Sequence, residues 1–273
     1  MMNCQPQAAA PRPEREKPAG NTATGTLKII ALCLMLIDHL GAVVFPGIPE
    51  MRIIGRLAFP IYCWCMVVGF HYTRSVPKYL GRVALTGVLV QPLYAFVMNH
   101  MGRSGNFFYD FYAARPSIFL TLFLGLAALW GIREKKFLSQ LWAPAAAILL
   151  ATALRADYGW RGVTLIILLY AARGSRPAIA AVMTAFFLYW GTEYGITPGM
   201  FGIPVAQALN GLPDPLRLPL SALARLETYA LGSLAFILPR YGRSIRMPVW
   251  VSYAIYPAHL LIVLLMKTLV LRG

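Results

Sequence analysis

Residues Leu27 to Pro46 read LKIIALCLMLIDHLGAVVFP, an apolar run long enough to cross a bilayer, and runs of this kind recur along the whole chain. In hydrocarbon every backbone N–H and C=O must be bonded within the protein, which leaves helices as the solution for uninterrupted apolar runs. Of 273 residues, 58% are hydrophobic and 13% charged, more apolar surface than a soluble domain of this length buries. The expected fold class is therefore all-α, a polytopic membrane helix bundle of about nine (8–10) transmembrane helices. The runs place spans near 27–45, 52–72, 79–98, 116–132, 138–154, 159–173, 177–192, 216–238 and 247–270. Gly195 to Leu212 is apolar but broken by Gly and Pro, and reads as an interfacial or re-entrant piece. Residues 1–26 are polar and rich in Pro and Ala, which fits a disordered cytoplasmic tail before an integral membrane domain over 27–273.

The net charge of +15 would suit a nucleic-acid partner if it lay on one soluble face, but the cations sit in short clusters between apolar runs. Arg74, Lys78 and Arg82 follow the second run, Arg133, Lys135 and Lys136 the fourth, Arg173 and Arg176 the sixth, and Arg240, Arg243 and Arg246 the eighth. The other connections carry NFFYDFY, RADYGW and GTEYG, aromatic and polar as an outer interface requires. The positive-inside rule then puts the N-terminus in the cytoplasm of a multi-pass membrane protein, with the lipid bilayer and no nucleic acid as its surroundings. Nine spans leave the C-terminus outside, which Lys267 and Arg272 oppose.

With directions assigned, ionisable residues acquire depths. Asp38 and His39 lie in the outer half of the first run, Arg52 and Arg56 in the outer third of the second, Arg225 and Glu227 near the middle of the eighth, and His259 near the middle of the ninth. Each such group costs roughly 2.5–3.5 kcal/mol at mid-membrane, so residues that accept this cost face the protein interior and are functional candidates. His39 is the first of them, because a neutral imidazole takes a proton near pH 7. Asp38 points about 100° away from it on a helix, so the group that orients His39 has to come from another segment. Lys28 precedes His39 by eleven positions, three turns plus about 20°, and about 16 Å along the axis. A cation at the cytoplasmic mouth and a base deep in the bundle on one stripe would suit a long phosphorylated donor with a thioester end; a snorkelling anchor explains Lys28 equally.

Arg52 and Arg56 share a helix face, with Gly55 permitting close approach and Pro60 bending the helix. Asp38, Glu193 and Glu227 are their possible anionic partners, and a substrate oxyanion is the functional alternative. In SYAIYPAHLL, Tyr253, Tyr256 and His259 recur at i, i+3, i+6, with Pro257 loosening the backbone. Asp157, Tyr158 and Glu193 sit at outer helix ends, where interface anchoring competes with acceptor binding. Cys33, Cys63 and Cys65 read as buried free thiols, no spacing supports a metal site, and neither a G-x-S-x-G elbow nor a Walker loop is present.

The segments KIIALCLMLIDHLGAVVFP, MRIIGRLAFPIYCWCMVVGFHYTRS, ALRADYGWRGV and YAIYPAHLL together resemble the TraX family of conjugative-transfer proteins, over about Leu27 to Leu265. That family is associated with acetylation of the N-terminal amine of conjugative pilin in the bacterial inner membrane, and is distantly grouped with type 3 acyltransferases. The wider group carries Arg or Lys, ten intervening residues, then His, which Lys28 and His39 match. The resemblance implies acetyl-CoA as acyl donor from the cytoplasmic side, a pilin subunit in the membrane as partner, His39 as base and Arg56 as a site arginine.

The resulting expectation is an acyltransferase with His39, Arg56, Glu227 and His259 catalytic, Glu227 or His259 orienting His39. Lys28, Arg74 and Lys78 would hold the donor, and Asp38, Arg52, Asp157, Tyr158, Glu193 and Tyr256 would line the acceptor site. A pilin cyclase or peptidyl transferase, and a non-catalytic transporter or pilin chaperone, are the competing readings.

Overall fold

The computed structural model describes residues 17–98, 105–113, 115–242 and 244–272. Among them the chain is all-helical, with two isolated backbone bridges and no strand. Helix α1 (Thr24–Val43) leads into α2 (Pro49–Gly55), which is separated by a turn from α3 (Ala58–Tyr72). Helix α4 (Val76–Val97) is followed by a π-helical turn, Tyr109–Ala113, and then by α5 (Ile118–Glu134), α6 (Ser139–Ala153), α7 (Gly159–Ala172) and α8 (Arg176–Gly191). Short helices α9 (Val205–Asn210) and α10 (Asp214–Leu223) precede a 3-10 helix, Leu226–Ser233, the four-residue α11 (Leu234–Ile237) and finally α12 (Val249–Arg272).

Helix α3 is the centre of the bundle because it is apolar on every side: Phe59, Ile61, Cys63, Trp64, Met66, Val67 and Phe70 are all buried, so it keeps no face for lipid. Helices α1, α5, α7 and the 3-10 helix pack around it, and α12 lies against both α1 and α4. Small side chains at Ala128, Ala147 and Ala151 let α5, α6 and α7 approach closely in a second, smaller core.

Five stretches among the described residues are long and apolar enough to cross a bilayer: Thr24–Val43, Pro49–Tyr72, Val76–Val97, Lys136–Ala153 and Trp250–Val270. The expected nine crossings are thus not all confirmed. Helices α5, α7 and α8 have 17, 14 and 16 residues, and at 1.5 Å per residue the shortest spans about 21 Å, less than a hydrocarbon core of about 30 Å. The expected span 216–238 is not one helix. The chain is extended at Arg225, and Thr228 Oγ1 donates back to the Ala222 carbonyl at 3.0 Å, holding the break in place. Residues 192–225 leave and rejoin the bundle at one end: Thr197 N–H donates to the Ala224 carbonyl, and the Arg225 guanidinium to the Gly191 carbonyl. That agrees with leaving Gly195 to Leu212 out of the spans.

The basic connections meet at one end. Arg133 reaches the Phe70 carbonyl and lies over the Phe70 ring. Arg176 and Arg240 both donate to the Ala19 carbonyl, whose own N–H donates to the Arg173 carbonyl at 2.7 Å. Arg243 and residues 1–16 lie outside the described residues. The last part of the segment assigned to a tail is a packed strap: Pro18, Gly20, Asn21 and Ala23 are buried. Asn21 donates to the Phe236 carbonyl at 3.0 Å and accepts from Ala23 N–H at 2.9 Å, while its own carbonyl accepts from Trp64 Nε1 at 2.7 Å. The strap is ordered because each of its polar groups finds a partner the helix ends leave over. Of the three thiols, Cys63 and Cys65 are buried as expected; Cys33 is exposed on the outer face of α1.

Replacing Asn21 by Ala strands the Phe236 carbonyl and the Ala23 N–H, and is expected to lower stability by about 1–3 kcal/mol. Denaturant unfolding of the purified protein in detergent measures it; an unchanged midpoint would mean the strap contributes nothing.

Candidate functional site

The site begins at the turn between α2 and α3. Pro60 has no N–H to give the Arg56 carbonyl, so the helix stops at Gly55 and restarts at Ala58. The turn places Arg56 next to Asp38 of α1. Gly55 is required there by close approach: a Cβ on it would occupy the space of the Asp38 side chain. Asp38 Oδ2 accepts from Arg52 Nη1 at 2.6 Å, and Asp38 Oδ1 and Oδ2 accept from Arg56 Nη2 at 2.9 and 3.1 Å. Arg56 Nη1 donates to Glu227 Oε1 at 3.1 Å, at the start of the 3-10 helix. Two cations and two anions from four elements are closed into one neutral cluster, the condition under which buried charges are tolerated. Arg56 is nearly covered, with 11% of its side chain exposed, whereas Arg52 keeps 33%.

His39, on the turn after Asp38, points to α12. Its Nδ1 lies 2.9 Å from His259 Nε2, with the rings stacked at a centroid distance of 5.0 Å. Of two ring nitrogens in such contact, one donates and the other accepts. His259 Nδ1 is buried and has no hydrogen-bond partner among the described residues. In the tautomer where His39 Nδ1 carries the proton, it donates to His259 Nε2 and His39 Nε2 keeps its lone pair. Lys28 contacts the same helix one end lower, its Nζ 3.4 Å from Ser252 Oγ. The stripe joining Lys28 and His39 is thus the face that α1 turns to α12.

Three recesses adjoin along this face. A recess of about 100 Å³ at the basic end is lined by Lys28, Cys65, Tyr79, Ser252 and Tyr253. A neck of about 20 Å³ shares Met35, Tyr62, Ile118 and Tyr256 with it, and continues to His39. Beyond lies a cavity of about 360 Å³, walled by His39, Arg52, Arg56, Asp157, Tyr158 and Glu227, with Tyr94, Arg161, Trp190 and Tyr194 completing it. His39, Asp38, Asp157 and Tyr158 line both neck and cavity.

Most of the residues singled out in the sequence therefore converge. Glu227 meets Arg56 rather than His39, leaving His259 as the imidazole's partner. Tyr158 stacks on Phe59 at 3.6 Å between centroids. Tyr256 belongs to the neck, its ring edge against His259. Glu193 lies at the rim, paired with Arg161, and is not a wall of the cavity. Arg74 and Lys78 are exposed at the basic end and line neither the recess nor the neck. Tyr62, Tyr94, Arg161 and Trp190 were not anticipated: aromatic residues are common in apolar runs, and nothing in their spacing separates these from core. Among the described residues no three His, Cys, Asp or Glu side chains are grouped as a metal ion needs.

Asp157 sits in the turn between α6 and α7 and lines the cavity. Desolvation within these walls raises its pKa from the ordinary carboxylate value to about 6, outweighing the nearby Arg56. It is protonated below that pH and ionised above it.

Fold and site together define a polytopic helical membrane protein with an ion-paired, imidazole-bearing cavity enclosed between its helices. The chain belongs to the TraX family, whose model, described as TraX protein, matches residues 23–267. It is similar to the "Probable fimbrial assembly protein FimC, serogroup H1" of Dichelobacter nodosus, at 29% identity over 200 residues, 71% of this chain and 79% of that protein. An uncharacterized protein of Rickettsia prowazekii (strain Madrid E) is 31% identical over 93 residues, 34% of this chain and 35% of its own. No solved structure matches.

Two outcomes follow from the geometry. Arg56→Leu leaves Glu227 buried without its cation and is expected to cost about 3–5 kcal/mol, whereas Arg56→Leu combined with Glu227→Leu costs clearly less; a double-mutant cycle of unfolding free energies decides it, and additive losses would dissolve the cluster. Infrared difference spectra are expected to show a carboxyl band that appears as pH falls through about 6 and is missing in Asp157→Asn; a band persisting in that variant would assign the titration elsewhere.

Proposed function

We propose that this protein is a membrane-embedded acyltransferase that acetylates the N-terminal amine of a pilin-type subunit, with acetyl-CoA as donor from the basic, cytoplasmic end. The observation that carries the reading is the position of His39, where a narrow neck from the Lys28 recess opens into a charged cavity on the other side. Two reactants that enter from opposite ends meet at one imidazole. Membership of the TraX family and the name of the Dichelobacter relative support a pilus or fimbrial subunit as the acceptor.

The residues fit such a donor. Lys28 offers a cation at the mouth for phosphate, and Met35, Tyr62, Ile118 and Tyr256 form an apolar sleeve for a slender chain. A bound acyl thioester supplies an electrophilic carbonyl carbon at the end of that sleeve. On the opposite side, the Asp157 carboxylate, ionised above its pKa, receives the acceptor's ammonium and takes up one of its protons, which passes on to water and leaves the neutral amine. His39 Nε2 takes a proton from the amine as its nitrogen bonds to the carbonyl carbon. Arg52, with part of its guanidinium free toward the cavity, faces the oxygen as it gains charge, and Arg56 holds Asp38 and Glu227 in place around it. When the carbon–sulfur bond breaks, the imidazolium returns a proton to the departing thiolate, giving an amide and a free thiol. His259 is a positioning residue: it accepts from His39 Nδ1 and so keeps the reactive lone pair on Nε2.

The intact mass of the pilin-type subunit, purified from cells with this protein, without it, and with His39→Ala, tests the reading. The expected result is one added acetyl group that requires the protein and falls at least about 100-fold in rate in His39→Ala. Full transfer by His39→Ala overturns the mechanism, loss of one water from the subunit identifies a cyclase, and an unchanged mass in all three identifies a non-catalytic role.

A further inference from the structure

A recess larger than the charged cavity lies elsewhere among the described residues. It is a groove of about 700 Å³ alongside α4, with Val83, Ala84, Gly87 and Val88 as its floor. Phe119, Leu120 and Phe123 of α5 form one wall, and Phe108, Tyr109 and Tyr112 of the π-helical turn another. Ala153, Leu154 and Arg155, from the end of α6, close the remaining side.

Its walls are mainly apolar. The polar side chain deepest in the floor, Gln91, already uses both ends of its amide, donating to the Arg115 carbonyl at 3.0 Å and accepting from Ser117 N–H at 2.7 Å. What remains is hydrocarbon and aromatic faces, and Val88, Phe108 and Tyr109 stay largely exposed along them. At the outer end stands Arg155, exposed and making no ion pair among the described residues. A cation at interface depth above an apolar slot is the complement of one molecule type, a phosphate head on an acyl chain. A second protein helix fits less well, since a helix about 10 Å across needs an open face, and this groove is walled by three elements besides its floor.

We infer that the groove between α4, α5 and the Tyr109–Ala113 turn is a phospholipid site, an acyl chain lying along Val83 to Val88 and the lipid phosphate on Arg155. An anionic headgroup is preferred, because Arg155 has no carboxylate to share its charge with. Nothing in the charged cavity takes part, so the site stands whether or not the protein transfers an acyl group.

The test is the phosphorus content and headgroup composition of the full-length protein. It is purified in a phosphate-free detergent from vesicles of equal parts phosphatidylglycerol and phosphatidylcholine. The wild type is expected to retain about one phospholipid per chain, enriched severalfold in phosphatidylglycerol. Val88→Trp fills the groove from an exposed position and is expected to abolish retention, while Arg155→Ala is expected to keep some lipid but lose the enrichment. Equal retention by wild type and Val88→Trp would overturn the site, and enrichment unchanged in Arg155→Ala would overturn the headgroup contact. The thermal midpoint of each variant, measured alongside, is expected to stay at the wild-type value in lipid-free detergent.

Discussion

The bidentate contact between Arg56 and Asp38 governs the rest of the architecture. It joins α1 to the turn after α2, and through Glu227 it fixes the 3-10 helix to both. Charged groups at this depth are tolerated only while they neutralise one another. The cluster therefore acts as a geometric clamp: with Asp38 held against Gly55, the rotation of α1 is set, and His39 one residue later has no choice but to face α12.

Much of this was legible in the sequence because expense is legible. An Asp-His pair, two arginines and a lone Glu inside apolar runs stand out against hydrocarbon, and all of them reached one site. Proline was informative for the same reason, since Pro60 marks where the backbone loses a donor and Arg56 is turned inward. The all-helical class followed from backbone satisfaction alone. Span number was less legible, because hydropathy averages over a window and does not see that α7 is only 14 residues long. The break at Arg225 was hidden likewise: it depends on a hydroxyl of Thr228 returning to Ala222, a local bond with no compositional trace.

The polar strap at the N-terminal end was hidden for a different reason. Residues 18–23 look like linker by composition, and their order comes from carbonyls and an indole N–H more than two hundred residues away along the chain or deep in α3. The walls of the charged cavity divide in the same way. Its ions could be anticipated, while Tyr94 and Trp190 blend with the aromatic residues of any membrane core. The neck, which Tyr62 helps to form, separates two compartments of opposite character, a cationic recess and a mixed-charge chamber, and His39 lines the neck and the chamber.

His39 and His259 are 220 positions apart, one in the first helix and the other in the last. A chain that enters the membrane segment by segment inserts His39 well before the helix that supplies its imidazole partner, so the pair forms only once α12 has arrived. Up to that moment Asp38, Arg56 and Glu227 can already be joined, so the bundle acquires its scaffold first and its imidazole pair last. Without α12 the cluster of Asp38, Arg56 and Glu227 keeps all its members, while His39 lacks its imidazole partner.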